Sequence, residues 1–266
     1  MNRVGLVVHD EKPGAMEMAA SLTDQLAAAG LAPCTVEADA TTCDVDVLVS
    51  IGGDGTLLRA ASLAHARDIP VAGINMGRLG YLAEIEPEDV GSLVALLSSP
   101  DPSIESRMAL EVELPDGSRL AALNDVVLDK VVTQRVIHVR AEVDGRRLIT
   151  YRADAVIVST PTGSTAYSLA AGGPVVDPRM EALIVTPVAA HTLLWRSVVV
   201  GGDRAIRLIV DVDRPAWVTV DGREAGRLEQ GQSVTVTRSD RPVRFLSLGA
   251  HHFPDAVRHE FGLDRA

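Results

Sequence analysis

The feature that most restricts the fold of this 266-residue chain is Ile51-Gly52-Gly53-Asp54-Gly55-Thr56, set between a strand-like and a helical stretch. Three glycines around one aspartate let the backbone turn tightly, with amides facing a ligand and no Cβ in the way. Val45 to Ile51 before the turn reads as a buried strand, and Thr56 to Arg67 after it as a helix. The same alternation runs through the first hundred residues. Val4 to Val8 reads as a strand and Pro13 to Gly30 as a helix with Met16, Ala19, Ala20, Leu22, Leu26 and Ala27 on one face. Pro70 to Ile74 reads as a strand and Pro87 to Leu97 as a helix. Pro13 suits a first turn and Gly30 a helix stop. Strands alternating with helices predict an α/β N-terminal domain, a Rossmann-like parallel sheet with helices on both faces.

The pattern changes at Ser98-Ser99-Pro100-Asp101-Pro102. Beyond it, alternating segments such as Arg204 to Val212 and Ser233 to Arg238 are punctuated by Asp116-Gly117, Asp144-Gly145 and Asp221-Gly222. Asp-Gly supplies the positive φ angles of tight hairpins, so a mostly-β C-terminal domain is expected. The expected division is 1–99 for the α/β domain and 100–244 for the β-rich domain.

Charge narrows the function classes. The chain holds 25 basic and 36 acidic residues, a net charge of −11. This disfavours a surface for nucleic acid or for an anionic membrane, both of which need basic patches. Only Lys12 and Lys130 are lysines, so phosphate chemistry is expected to rest on arginine, backbone amides, hydroxyls or metal. The two cysteines, Cys34 and Cys43, form no C-x-x-C motif and read as reduced thiols of a cytoplasmic protein. The apolar start at Val4 to Val8 is too short for a signal segment, and no stretch approaches the roughly 18 apolar residues of a membrane span.

Three segments carry chemistry. In the glycine turn, the following helix start adds free N–H groups and partial positive charge, favourable for phosphate. Asp54 within it fits either a metal contact or acceptance of a proton from a hydroxyl attacking phosphate. The plainer reading is a turn with an N-capping Thr56. No G-x-x-x-x-G-K-[ST], G-x-G-x-x-G after a strand, G-x-S-x-G or H-E-x-x-H is present, and the seven histidines, the pair His251-His252 included, show no metal-ligand spacing. The second segment, Ser159 to Pro174, follows the apolar strand Ala155 to Val158 and places five hydroxyl residues between Ser159 and Thr165. It can surround a polar ligand, with Ser164 or Thr165 capping a short helix through Ala170; the plainer reading is a decorated loop. The third is Asn124-Asp125, which can read an adenine edge and a ribose diol or can form an Asx turn. Arg152 and Asp154, two apart on a strand, share a face and can form an ion pair.

Taken together, these segments resemble the NAD kinase family. The matching stretches are Gly52 to Arg59, Asn75 to Leu82, Leu123-Asn124-Asp125, Arg152-Ala153-Asp154 and Thr160 to Pro174, followed by Thr186-Pro187, His191-Thr192-Leu193 and Val220-Asp221-Gly222. The sequence departs from the family at Asp125 (often Glu), Met76 and Tyr81 (often Leu and Phe), Ala190 (usually Pro) and Arg223 (commonly Gln). Only Arg223 changes contact chemistry. The resemblance implies transfer of a phosphoryl group from ATP or polyphosphate, with Mg²⁺, to the 2′-hydroxyl of the adenosine ribose of NAD.

By the same resemblance Asp54 is the general base, and Gly52, Gly53, Gly55 and Thr56 position phosphate. Asn124 and Asp125 hold the adenosine part of NAD. Thr165, Ala166, Tyr167, Ser168, Leu169 and Ala170 line the dinucleotide site, and Tyr81 stacks beside a base. Arg59, Arg135, Arg152 and Asp154 are further contacts, with a neighbouring subunit as one source, since the family forms dimers and tetramers. The implied active site lies between the two domains, and a tail of about 245–266 returns to the first. Two other readings share features with this one: a diacylglycerol- or sphingosine-type lipid kinase with the same glycine loop, and a non-catalytic NAD(P)-binding regulator.

Overall fold

The computed structural model describes residues 1–36, 43–77, 82, 85–132, 134–212, 214–249 and 253–263. In chain order the elements begin with β1 (Arg3–Val8), α1 (Ala15–Ala28), β2 (Ala32–Thr35), β3 (Val47–Gly52), α2 (Asp54–Arg67) and β4 (Val71–Asn75). Next come α3 (Val90–Ser98), β5 (Ile104–Arg107), β6 (Leu110–Glu113), β7 (Arg119–Ala122), β8 (Asp125–Lys130), β9 (Ile137–Val143), β10 (Arg146–Ala153) and β11 (Ala155–Ser159). Then follow α4 (Tyr167–Ala170), β12 (Ala182–Val188), β13 (Val198–Gly201), β14 (Ile206–Val210), β15 (Ala216–Val220), β16 (Arg223–Leu228) and β17 (Ser233–Arg238). The last two are β18 (Val243–Leu246) and α5 (Phe253–Glu260). They group into two compact units, residues 1–106 with 243–266, and residues 107–242.

In the first unit a six-stranded sheet runs in the order β2-β1-β3-β4-β18-β5. The pairs β1–β2, β1–β3, β3–β4 and β4–β18 are parallel. Every residue of β3 and β4 is buried, the pattern of strands covered on both faces. Helix α1 begins at Ala15 rather than Pro13, after Gly14 at φ 79°. Its buried residues are Ala15, Leu22 and Leu26, spaced at whole turns along one stripe. Met16, turned by about 100° from that stripe, is exposed, so the apolar face is narrower than its composition implied. Past the helix, Gly30 has φ 79°, Leu31 N–H bonds Leu26 O at 2.9 Å and Gly30 N–H bonds Ala27 O at 3.0 Å. This is the left-handed glycine stop expected there.

The second unit is built from two six-stranded sheets, ordered β10-β9-β14-β17-β6-β7 and β13-β12-β11-β8-β15-β16. Their inner faces share one core that includes Val112, Val139, Leu208 and Val236 from the first sheet and Leu128, Val158, Val185 and Val218 from the second. Two of the Asp-Gly pairs close two-residue hairpins with both residues at positive φ: Asp144 (50°) with Gly145 (73°), and Asp221 (48°) with Gly222 (74°). The mirror-image turn matches the right-handed twist of the flanking strands.

Candidate active site

In the first unit β3 ends at Gly52, Gly53 is extended (φ −117°), and α2 opens on Asp54. The helix therefore starts two residues before Thr56, and Thr56 is a buried residue of its first turn rather than an N-cap. The N–H groups of Thr56 and Leu57 reach Gly53 O at 3.0 and 3.1 Å, which draws Asp54, Gly55 and Thr56 into helical geometry. Among the described residues no side chain caps this end, which leaves its first amides able to take an anion. Gly52 is required by close approach, because a Cβ there would strike the Thr56 hydroxyl. Gly55 is exposed with nothing near its missing Cβ, leaving the loop open. Asp54 is partly buried, and its Oδ1 accepts a 3.4 Å hydrogen bond from Leu82 N–H. One turn on, Arg59 buries an Nε with no hydrogen-bond partner among the described residues.

The loop is braced on both sides. His9 N–H donates to Ile51 O at 3.0 Å, and Met76 N–H donates to Gly52 O at 2.6 Å. One neighbour was not legible from local sequence: the Lys12 ammonium lies 3.2 Å from the position a Cβ on Gly53 would take. One of the two lysines thus lies beside the glycine loop, a placement that comes from tertiary contact.

In the second unit Asp221, at the β15–β16 turn, organises the Asn124-Asp125 segment. Its carboxylate accepts N–H bonds from Leu123 (2.8 Å), Asn124 (2.8 Å) and Asp125 (3.2 Å). Its own N–H returns to Asp125 O at 2.9 Å. The segment is fixed from the far side by the hydroxyl loop. Thr160 N–H donates to Asn124 O at 2.9 Å, its hydroxyl donates to Leu123 O at 2.6 Å, and Gly163 N–H donates to that hydroxyl at 2.9 Å. Gly163 sits so close that a Cβ would enter the Asn124 backbone. Asp125 is buried, and burial, helped by the nearby Asp221 carboxylate, pushes its carboxyl up to about 7. Burial also raises Asp221, against the opposing pull of the three N–H donors.

The hydroxyl loop departs from the expected helix. Residues 162–165 form a 3₁₀ turn, and α4 follows with Ala166 as its N-terminal flank and no side-chain cap. Ser164 and Thr165 are engaged inside the loop, Ser164 with Val176 and Thr165 with Thr162 O at 3.3 Å. Ser168 shares a buried hydroxyl chain with Thr186 and Ser197, each step 2.9 Å. The hydroxyls of Ser159 and Thr162 are buried without a partner among the described residues. Tyr167 is 42% exposed; its phenol is raised by burial and by the charges of Asp129, Asp154 and Asp125. Tyr167, Asp125 and Asp154 therefore belong to one neighbourhood.

Asp154 pairs with Lys130 at 2.6 Å, not with Arg152, which is exposed beyond the buried Tyr151. Arg135, Lys130 and Arg214 line a cavity of about 230 Å³. Tyr81 and the His251-His252 pair lie outside the described residues. Among the described residues no three His, Cys, Asp or Glu side chains converge as a metal cage, and no helix is long and apolar enough to cross a membrane.

The fold and these two polar loops are those of a nucleotide-phosphorylating protein class. Yeast NADH kinase, solved with NADH, superposes with a TM-score of 0.91 over 100% of this chain and 89% of its own, at 22% identity. An NAD kinase from Archaeoglobus fulgidus, solved with ATP, superposes at 0.79 over 99% and 98%, at 27% identity. Residues 36–101 match the ATP-NAD kinase N-terminal domain and residues 123–248 the ATP-NAD kinase C-terminal domain. The NAD kinase of Heliobacterium modesticaldum is 41% identical over 98% of both chains, and that of Moorella thermoacetica 38% over 98% of this chain and 89% of its own. The chain belongs to the NAD kinase family.

Proposed function

We propose that this protein is an NAD kinase that moves the terminal phosphoryl group of ATP or polyphosphate to the 2′-hydroxyl of the adenosine ribose of NAD, forming NADP. The observation that carries the reading is the opening of α2: an uncapped helix start, suited to phosphate, that holds a carboxylate, Asp54, in its own first turn. The ribose oxygen attacks the terminal phosphorus, the bond from that phosphorus to its bridging oxygen breaks, and Asp54 takes the hydroxyl proton. Gly52, Gly53, Gly55 and Thr56 position phosphate through backbone amides and one hydroxyl, and Arg59 adds charge one turn away.

Asn124 and Asp125 hold the adenosine moiety, and Thr165 to Ala170 line the dinucleotide, with Tyr167 presenting its ring. Tyr81, Arg135, Arg152 and Asp154 complete the proposed NAD contacts, as part of a homodimer or homotetramer. Mg²⁺ fits as a companion of the nucleotide phosphates, because a hard cation of this kind needs only one or two carboxylates besides phosphate oxygens; Asp54 is the nearest such donor in the loop. Two free thiols, Cys34 and Cys43, agree with a reducing, cytoplasmic setting.

The test is purified protein with NAD, Mg²⁺ and either ATP or polyphosphate, with NADP read by an NADP-specific dehydrogenase. Asp54→Asn should keep NAD affinity near normal while turnover falls by about 10² or more. Unchanged turnover removes Asp54 from the role of base, whereas NAD binding by a wild type that forms no NADP favours a binding regulator.

A further inference from the structure

Lys12 is one of only two lysines in the chain. It follows β1, whose end lies beside the end of β3 at Val8↔Ile51. Its N–H closes a turn onto His9 O at 3.0 Å, and His9 N–H holds Ile51 O, so this turn is anchored to the strand that feeds the glycine loop. The side chain is partly buried. Its ammonium lies 3.2 Å from the Cβ position of Gly53 and 2.8 Å from that of Gly77, while Cε lies 3.3 Å from the latter. Two absent side chains thus leave the gap that the ammonium fills, over the start of α2. Lys130 is neutralised by Asp154; among the described residues no carboxylate neutralises Lys12.

We propose that Lys12 is a phosphate-donor contact, its ammonium binding the terminal phosphates of ATP or polyphosphate across the Gly53–Gly77 gap. It acts as a point charge on a flexible stem, and it offsets negative charge on the donor as the bond to the leaving phosphate breaks. This inference rests on the phosphotransfer reading above and assigns the donor side of that reaction. Glycine at 53 and 77 then has a reason beyond backbone shape: either Cβ would push the ammonium away.

The experiment compares wild type with Lys12→Gln, Lys12→Arg and Gly77→Ala. Calorimetry reads the affinity for Mg·ATP, for Mg·tripolyphosphate and for NAD, and steady-state assays read NADP formation. Lys12→Gln is expected to weaken both polyphosphate ligands by about 10- to 100-fold, the loss of one charge-assisted contact, with NAD affinity and melting temperature unchanged. Lys12→Arg should recover part of the loss. Gly77→Ala keeps the lysine but displaces its flexible end, so it should weaken the same ligands at little cost to folding, and it tests the idea even if Lys12→Gln folds poorly. Unaltered tripolyphosphate and ATP affinity in Lys12→Gln and Gly77→Ala, in a wild type that makes NADP, overturns the Lys12 assignment alone. A wild type that makes no NADP, while Lys12→Gln still loses tripolyphosphate, overturns the phosphotransfer reading and keeps the contact.

Discussion

Asp125 is buried beside a second carboxylate, and its proton is held up to about 7 chiefly by burial and then by Asp221. A carboxylate in an unfolded chain titrates near 3.9. Between about pH 4 and 7 the folded protein therefore keeps a proton that the unfolded chain has lost, and stability falls as pH rises through that window. Asp125→Asn should flatten this slope, gaining stability over wild type at pH 8 but not at pH 4, as read by urea unfolding at the two values. The same ionisation controls the proposed NAD contact, because ribose hydroxyls need an acceptor and a protonated carboxyl accepts poorly. NAD affinity should rise by about tenfold or more from pH 5.5 to 8 in wild type, as one titrating group allows, and not in Asp125→Asn. Affinity that is level in both proteins would remove Asp125 from the site. The residue's type was evident in the sequence; its burial and its partner were not, since Asp221 lies 96 residues away along the chain.

At the scale of elements, α2 and β4 meet through a missing side chain. A Cβ on Gly73 would stand 2.6 Å from Leu57 Cδ2, and Leu57 is fully buried. Gly73→Ala should cost about 1–3 kcal/mol by overpacking, and Leu57→Ala about 2–5 kcal/mol by the cavity it leaves. Because each relieves the other, the double variant should cost clearly less than the sum of the singles in urea titrations; strict additivity would mean the two positions do not touch. This contact sets how α2 lies on the sheet, and hence where the amides of its first turn point. Periodicity made α2 legible. Its starting residue was not, because Gly53 O collects the N–H groups of Thr56 and Leu57 and so pulls Asp54 into the helix.

On the scale of the whole molecule, the first unit is discontinuous in sequence. Strand β18 enters its sheet beside β4 after the entire second unit has been traversed. Val243, Phe245 and Leu246 are buried there. Truncation before Val243 should strip the edge of β4, a strand buried at every residue, and remove at most about 9 kcal/mol of apolar burial from these three side chains. The helical far-ultraviolet signal should then unfold at lower urea, while the β-rich unit, complete within residues 107–242, keeps its midpoint. Coincident shifts of both signals would show that the units unfold as one.

The sequence alone determined the class of each half and the two polar loops. Strand–helix alternation, the Asp-Gly hairpin turns and the glycine turn around Asp54 are written in neighbouring residues, and local backbone preference is enough to read them. What only the tertiary structure decided are meetings between residues far apart in the chain: Lys12 over Gly53 and Gly77, Asp221 clamping Leu123 to Asp125, Asp154 taking Lys130 instead of Arg152. No local preference encodes these, because they arise from which strand ends the sheets bring side by side, and that is set by burying whole apolar faces at once.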